Sequence, residues 1–147
     1  MDALDKAILV CLSENSRMTA SAIGKRVRLS VSSVTERIKK LEESGVIEKY
    51  TLLVDSEAIG RNTEAYLEVT LENASYSESF CALAYAVPEV LRCDLMAIEY
   101  DYLLFVNCES VTSLDALRTR LSSLLGVKGI RVRPVLRRHK RSISPLF

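Results

Sequence analysis

The chain has a single histidine, His139, inside a basic run, Arg137-Arg138-His139-Lys140-Arg141. That setting suits charge rather than chemistry. Four cysteines, at positions 11, 81, 93 and 108, include no C-x-x-C pair and lie far from the histidine in sequence. The usual spacings of a zinc site are therefore absent. There is no phosphate loop, no G-x-S-x-G and no H-E-x-x-H, and no carboxylate pair stands out from the surface acids. No apolar run approaches the roughly 20 residues of a membrane helix. The start, Met1-Asp2-Ala3-Leu4-Asp5, is acidic and lacks a signal-peptide pattern, and no lipidation motif is visible. The expectation is a folded cytoplasmic protein, not an enzyme, with no metal, cofactor or membrane partner. Cysteines in that compartment are expected to be buried thiols acting as small hydrophobes.

A net charge of +1 over 147 residues predicts no nucleic-acid partner by itself. Its distribution does. Residues 17–40 hold seven basic side chains (Arg17, Lys25, Arg26, Arg28, Arg37, Lys39, Lys40) against one acid, Glu36. Residues 51–100 hold Arg61 and Arg92 against nine acids, and the chain turns basic again from Arg131. A local basic patch is the electrostatic footprint of a nucleic-acid binder.

The patch coincides with a two-helix pattern. Asp2 is an N-cap for a helix over about Ala3 to Ser13, whose inner face is Leu4, Ile8, Cys11 and Leu12. Thr19 caps a second helix that ends near Val27, with Ile23 and Val27 turned inward. The turn is Arg28-Leu29-Ser30, with Arg28 at a position that often takes a left-handed conformation. Ser30 caps a third helix, stopped by Gly45. This helix carries Val31, Val34, Ile38 and Leu41 on one side. Its other side shows Ser32, Ser33, Thr35, Glu36, Arg37, Lys39 and Lys40. A helix entering the major groove needs this order, with short hydrogen-bonding side chains first and cations further along. Ser32, Ser33, Thr35 and Glu36 are candidates for base edges, with Arg37 at the border. Lys25, Arg26, Arg28, Lys39 and Lys40 are candidates for phosphates. Val46 to Val54 reads as a strand, being β-branched and aromatic without a breaker.

The second half alternates strand and helix. Strands are predicted over Glu64–Leu71, Val90–Glu99, Tyr102–Glu109 and from Ile130 to about Arg138. Helices are predicted from Ser75 or Tyr76 to Ala86 and over Thr112–Leu125, the latter with a Leu114, Leu117, Leu121, Leu124 stripe stopped by Gly126. The order βαββαβ is ferredoxin-like. The domains are then 1–54 for DNA, a linker at 55–63, and 64–147. A two-residue turn at Tyr100-Asp101 would set Cys93 directly opposite Cys108. The two central strands carry apolar residues on both faces (Leu91/Leu95 and Met96/Ile98; Leu104/Val106 and Leu103/Phe105). Helices cover one face only, so a homodimer through the sheet is expected.

The run Leu29-Ser30, Glu36-Arg37-Ile38, Leu41-Glu42 and Gly45-Val46-Ile47-Glu48-Lys49-Tyr50-Thr51 resembles the Lrp/AsnC family of transcription regulators, and the likeness continues through the second half. The resemblance implies an α+β protein, an N-terminal winged helix-turn-helix followed by a ferredoxin-like effector-binding and oligomerisation domain. It implies double-stranded DNA as partner, dimers that assemble to tetramers or octamers, and an amino-acid or related effector near the second hairpin. The matching positions are Met96, Ile98, Glu99, Tyr100, Asp101 and Tyr102, and Asp101-Tyr102-Leu103-Leu104 fits the family's D-Y-L-L. Ile98 stands where the family usually has glycine, and Glu99 where aspartate is common. A glycine lets backbone groups approach a ligand's amine and carboxylate, and an isoleucine fills that space. The expectation is a regulator with an altered effector, or an effector-independent architectural one that wraps DNA. The siroheme decarboxylases share the two-domain build but carry a histidine-containing motif before the central hairpin; here Leu91–Met96 has none.

Overall fold

Asp2 and Asp5 close a reciprocal cap, each carboxylate accepting the other's backbone N–H at 2.8 Å. From that cap helix α1 runs over Ala3–Glu14. The computed structural model describes residues 1–97 and 101–140. The described chain divides into two compact units, Met1–Leu53 and Val54–His139.

The first unit is three helices. Thr19 caps α2 (Ala20–Val27) and Ser30 caps α3 (Val31–Glu43), each side-chain oxygen accepting an N–H of the first turn. Such a cap is worth about 1 kcal/mol against alanine. Gly45, at φ 74°, follows α3 as its left-handed stop. The core is Ile8, Cys11, Ile23, Val34 and Leu41, with Leu12, Val27, Leu29 and Ile38 packed against it. Val31, expected on the inner side, is 53% exposed because the first turn of α3 projects past the core.

Residues 46–54 form no strand. A strand needs a ladder partner, and none of the described strands pairs with this segment. Ile47 N–H reaches Leu41 C=O at 3.0 Å, and Tyr50 donates its hydroxyl to Glu42 at 2.9 Å. Burial and that carboxylate push the Tyr50 phenol up to about 12. Beyond it Leu52 is 84% exposed.

The second unit is a four-stranded antiparallel sheet with two helices on one face. Its elements are β1 (Thr63–Leu71), a short 3-10 turn (Ala74–Tyr76), α4 (Ser77–Ala86), β2 (Val90–Leu95), β3 (Tyr102–Cys108), α5 (Val111–Ser122) and β4 (Val127–Pro134). The strand order β2-β3-β1-β4 is the ferredoxin-like one. Ala65, Leu67, Val69 and Leu71 alternate onto the helix side and pack with Leu104, Val106, Phe80, Ala84 and the α5 leucines 114, 117 and 121. Each fully buried aliphatic side chain there contributes about 1.5–3 kcal/mol.

The last strand begins three residues before the predicted start and ends at Pro134, while α5 stops at Ser122 rather than Leu125. Ser123 caps α5, and Gly126, at φ 84°, turns the chain into β4 early.

The hairpin differs more. Leu95 pairs with Tyr102 and Cys93 with Leu104, so the connection is six residues, 96–101, and not a two-residue turn. Cys108 lies opposite Thr63, away from Cys93. Of the four cysteines only Cys11 and Cys108 are buried; Cys81 and Cys93 are exposed. The outer face of β2 is polar, an Arg92–Asp94 ion pair at 2.8 Å, because β2 ends at Leu95 and Met96 lies beyond it. On β3 both faces are apolar as read. The outer face sets Phe105 against Tyr66 at 5.2 Å between ring centroids. Arg138 covers Phe105 from 4.8 Å while pairing with Glu64 at 2.8 Å.

Candidate nucleic-acid interface

Helices α2 and α3 are joined through Arg28, which adopts φ 58° and ψ 47°. It is the sole non-glycine with positive φ among the described residues. A side chain in that conformation costs about 1 kcal/mol. The turn closes on α2 through two N–H groups, those of Arg28 and Leu29, both donating to Gly24 C=O. We expect Arg28→Gly to raise the stability of the first unit by about 0.5–1 kcal/mol. The same change should lower the salt slope of DNA binding by about 1. Urea melts and salt-dependent affinity read the two effects. A stabilised protein with an unaltered slope would make Arg28 a turn residue only.

The outer stripe of α3 consists of Ser32, Thr35, Glu36, Lys39 and Lys40, all exposed. The hydroxyls at its start are held locally. Ser30 Oγ lies 3.0 Å from Ser32 Oγ and 2.8 Å from Ser33 Oγ, and Thr35 donates to Val31 C=O at 2.9 Å. Ser33 is half-buried, at the edge of the stripe. Lys40 pairs with Glu36 at 2.8 Å and Lys39 with Glu43 at 3.6 Å, one helical turn apart in each case. The Lys40 ammonium holds the Glu36 carboxyl below its ordinary value. Exposed pairs of this kind are weak and exchange readily for a phosphate.

Arg37 goes elsewhere. It stands three residues after buried Val34, toward α1, and its guanidinium bonds Asp2 at 2.8 Å and Asp5 at 2.6 Å. Both carboxyls sit below their ordinary range, first because each accepts the other's backbone N–H and then because Arg37 donates to them. Arg37 therefore clamps the start of α1 to the middle of α3. This pairing is 32 to 35 residues distant in sequence, and only the helical position of Arg37 hinted at it. Arg26, one of the candidate phosphate contacts, pairs with Glu14 at the end of α1. Lys25 and Arg28 make no ion pair among the described residues, which leaves both cations available beside the α3 stripe.

In the second unit Ile98, Glu99 and Tyr100 lie outside the described residues. Of the other candidates, Met96 is partly exposed, its N–H bonding Asp101 C=O at 2.8 Å. Asp101 is committed to β1. Its carboxylate accepts Leu71 N–H at 2.6 Å and its N–H donates to Val69 C=O at 3.0 Å. Tyr102 is buried, its ring 5.1 Å from Phe80. Part of the basic end is paired too, with Arg131 and Arg133 both on Glu68, at 3.3 and 3.1 Å. No described helix is long and apolar enough to cross a membrane.

Comparison with known proteins agrees with this geometry. A winged helix-turn-helix DNA-binding family matches residues 1–48, and the Lrp/AsnC ligand binding domain matches residues 64–145. The HTH-type transcriptional regulator LrpC of Bacillus subtilis is 34% identical over 115 residues, 78% of this chain and 79% of LrpC. The HTH-type transcriptional regulator FL11 of Pyrococcus horikoshii is 32% identical over 142 residues, 97% of this chain and 93% of FL11. A Neisseria meningitidis transcriptional regulator solved as an L-Met complex is 31% identical, with a TM-score of 0.94 over 99% of this chain and 96% of that one. These relatives are DNA-binding regulators and not enzymes. A helix-turn-helix unit with a basic recognition helix, joined to a ferredoxin-like ligand-binding unit, makes this chain a DNA-binding transcriptional regulator of the Lrp/AsnC family.

Proposed function

We propose that the chain acts in the cytoplasm as a homodimeric, sequence-specific regulator that reads DNA with the outer stripe of α3 and answers to an amino-acid effector. The observation that carries the DNA reading is the single exposed stripe Ser32, Thr35, Glu36, Lys39, Lys40, beside Lys25 and Arg28, which make no ion pair among the described residues. Ser32, Thr35 and Glu36 face base edges. Lys25, Arg28, Lys39 and Lys40 hold phosphates, with Arg26 joining them when it leaves Glu14. Arg37 acts from behind, by fixing α3 against α1. Serine and threonine donate and accept alike, so sequence preference is loose. Assembly to tetramers or octamers then adds avidity and wraps the operator.

The test is Lys39→Ala with Lys40→Ala. It should weaken binding to every sequence, by tens of fold at 0.1 M salt, and flatten the log–log salt slope by roughly 2. Unchanged affinity and slope would place the DNA on another surface.

Two features support a dimer. Residues 46–53 have β composition and join no strand among the described residues, and the outer face of the sheet carries half-buried Tyr66, Leu103 and Phe105. Each fits pairing with a second copy.

The ligand-binding unit and the L-Met complex of the Neisseria meningitidis relative make L-Met the first effector to try. A specific observation favours a second reading, effector-independent DNA wrapping. Asp101 and Tyr102 are engaged in the fold, and Ile98 replaces a glycine. A thermal-shift panel of L-Met and the other amino acids separates the two. The effector reading expects one saturable shift, with a matching change in DNA affinity or assembly size by linkage. A flat panel leaves DNA wrapping as the function.

A further inference from the structure

Cys93 lies opposite Leu104 in the β2–β3 ladder. Leu104 is fully buried on the helix side of the sheet, so Cys93 projects to that same side. Cys81 stands on α4 one residue after buried Phe80 and one turn after Ser77. Phe80 packs on Tyr102, the neighbour of Leu104 on the same face of β3. These placements bring the two sulfurs together at the seam between α4 and the edge strand β2. The Cys81 thiol is close enough to act on both the Cys93 thiol and the Tyr102 hydroxyl. Both cysteines are free and exposed, whereas Cys11 and Cys108 are free and buried.

We propose that Cys81 and Cys93 form a modification site, a pair of neighbouring, solvent-reachable thiols that a low-molecular-weight disulfide such as glutathione disulfide closes into an intrachain disulfide. The Cys81 thiolate attacks one sulfur of the oxidant. The oxidant's S–S bond breaks, a mixed disulfide forms on Cys81, and one glutathione thiolate leaves. Cys93 then gives its proton to solvent and attacks the Cys81 sulfur, releasing the second glutathione. Two protein thiols are oxidised and one disulfide is reduced to two thiols.

Burial first, and then Cys81, push the Cys93 thiol up to about 11, with Asp94 adding to the rise. Cys93 is thus protonated near neutrality. The second step is the slow one. The groups facing Cys93 are Cys81 from α4, Tyr102 from β3 and Asp94 on its own strand. None of these is a cation, and the one adjacent cation, Arg92, is paired with Asp94 on the outer face, so closure should speed up about tenfold per pH unit above neutrality. Once formed, the bond ties β2 to α4 two residues before Leu95, where the 96–101 connection begins. The site stands whether or not that connection binds an effector.

The experiment uses the full chain with glutathione disulfide at pH 8, followed by alkylation of remaining thiols and tryptic digestion. Cleavage after Arg61, Arg92 and Arg118 places Cys81 in peptide 62–92, and Cys93 with Cys108 in peptide 93–118. The expected product links 62–92 to 93–118, with fragmentation assigning the bond to Cys93 and leaving Cys108 alkylated. Cys81→Ser should abolish the link, and a reductant should restore both thiols in the unsubstituted chain. A glutathione that persists on Cys81, a bond to Cys108, a link between two chains, or no loss of thiol would each overturn the proposal. The mapping in the unsubstituted chain decides the matter even if the serine variant folds poorly.

Discussion

Gly24→Ala is expected to lower the stability of the first unit and to cost more than about tenfold in operator affinity. In an ordinary helix interior the same change stabilises by about 1 kcal/mol. Here an added Cβ would lie 2.6 Å from the carbonyl oxygen of Leu29 and 3.7 Å from Val34 Cγ2. The oxygen is backbone, so relief requires moving the turn itself. That turn is already drawn tight onto α2, because the Arg28 and Leu29 N–H groups both bond Gly24 C=O. Opening it shifts Ser30, and with Ser30 the cap and first turn of α3, where Ser32 and Thr35 stand. Overpacking against a rigid neighbour costs about 1–3 kcal/mol, occasionally more, which outweighs the propensity gain. A misplacement of about 0.5 Å or 10–20° is enough to spoil a preorganised contact set. Urea melts and a salt-matched binding isotherm measure the two effects. A more stable variant that binds DNA normally would show that the turn relaxes freely and that the close approach has no consequence.

The local parts of this architecture were legible because they rest on neighbours in sequence. Asp2, Thr19 and Ser30 each cap the helix that follows, and Gly45 follows α3 with positive φ, whereas Gly126 lies past the end of α5 in the turn into β4. Alternation at Ala65, Leu67, Val69 and Leu71 placed the helix-side face of β1, and the leucine stripe placed α5. Pairings between distant residues were not legible. Arg37 has the look of one more basic residue on a recognition helix, yet it stands near the inner edge and finds two carboxylates on α1. The hairpin register failed for a similar reason. Tyr100-Asp101 can serve as a two-residue turn only if Asp101 is free, and both its N–H and its carboxylate are spent on β1. The resulting register moves the partner of Cys93 from Cys108 to Leu104, nearer the 96–101 connection on the same face of the sheet. Residues 46–54 show the limit of β propensity, which describes a surface fit for a ladder and cannot supply the partner.

Gly126→Ala should destabilise the second unit by about 2–4 kcal/mol, adding the roughly 1 kcal/mol of a left-handed side chain to an overpacking cost of about 1–3 kcal/mol. The added Cβ would lie 2.0 Å from Tyr76 Cγ and 2.4 Å from both Cδ atoms. Those atoms are the root of the ring, so a small rotation of the side chain cannot clear them, and the ring must leave its seat. Tyr76 is one of the residues packed against the sheet core, so its loss exposes apolar surface between the 3-10 turn and the start of β4. Gly126 C=O also accepts the Glu72 N–H at 2.8 Å, the bond that holds the end of β1 to this turn. A double-mutant cycle separates the causes. Tyr76→Ala removes the ring and leaves the φ 84° strain in place. The Tyr76→Ala, Gly126→Ala double variant should therefore be more stable than the sum of the single losses predicts, by about 1–3 kcal/mol. Strict additivity would mean that the ring and the glycine do not compete for the same space. The whole loss would then belong to the backbone conformation.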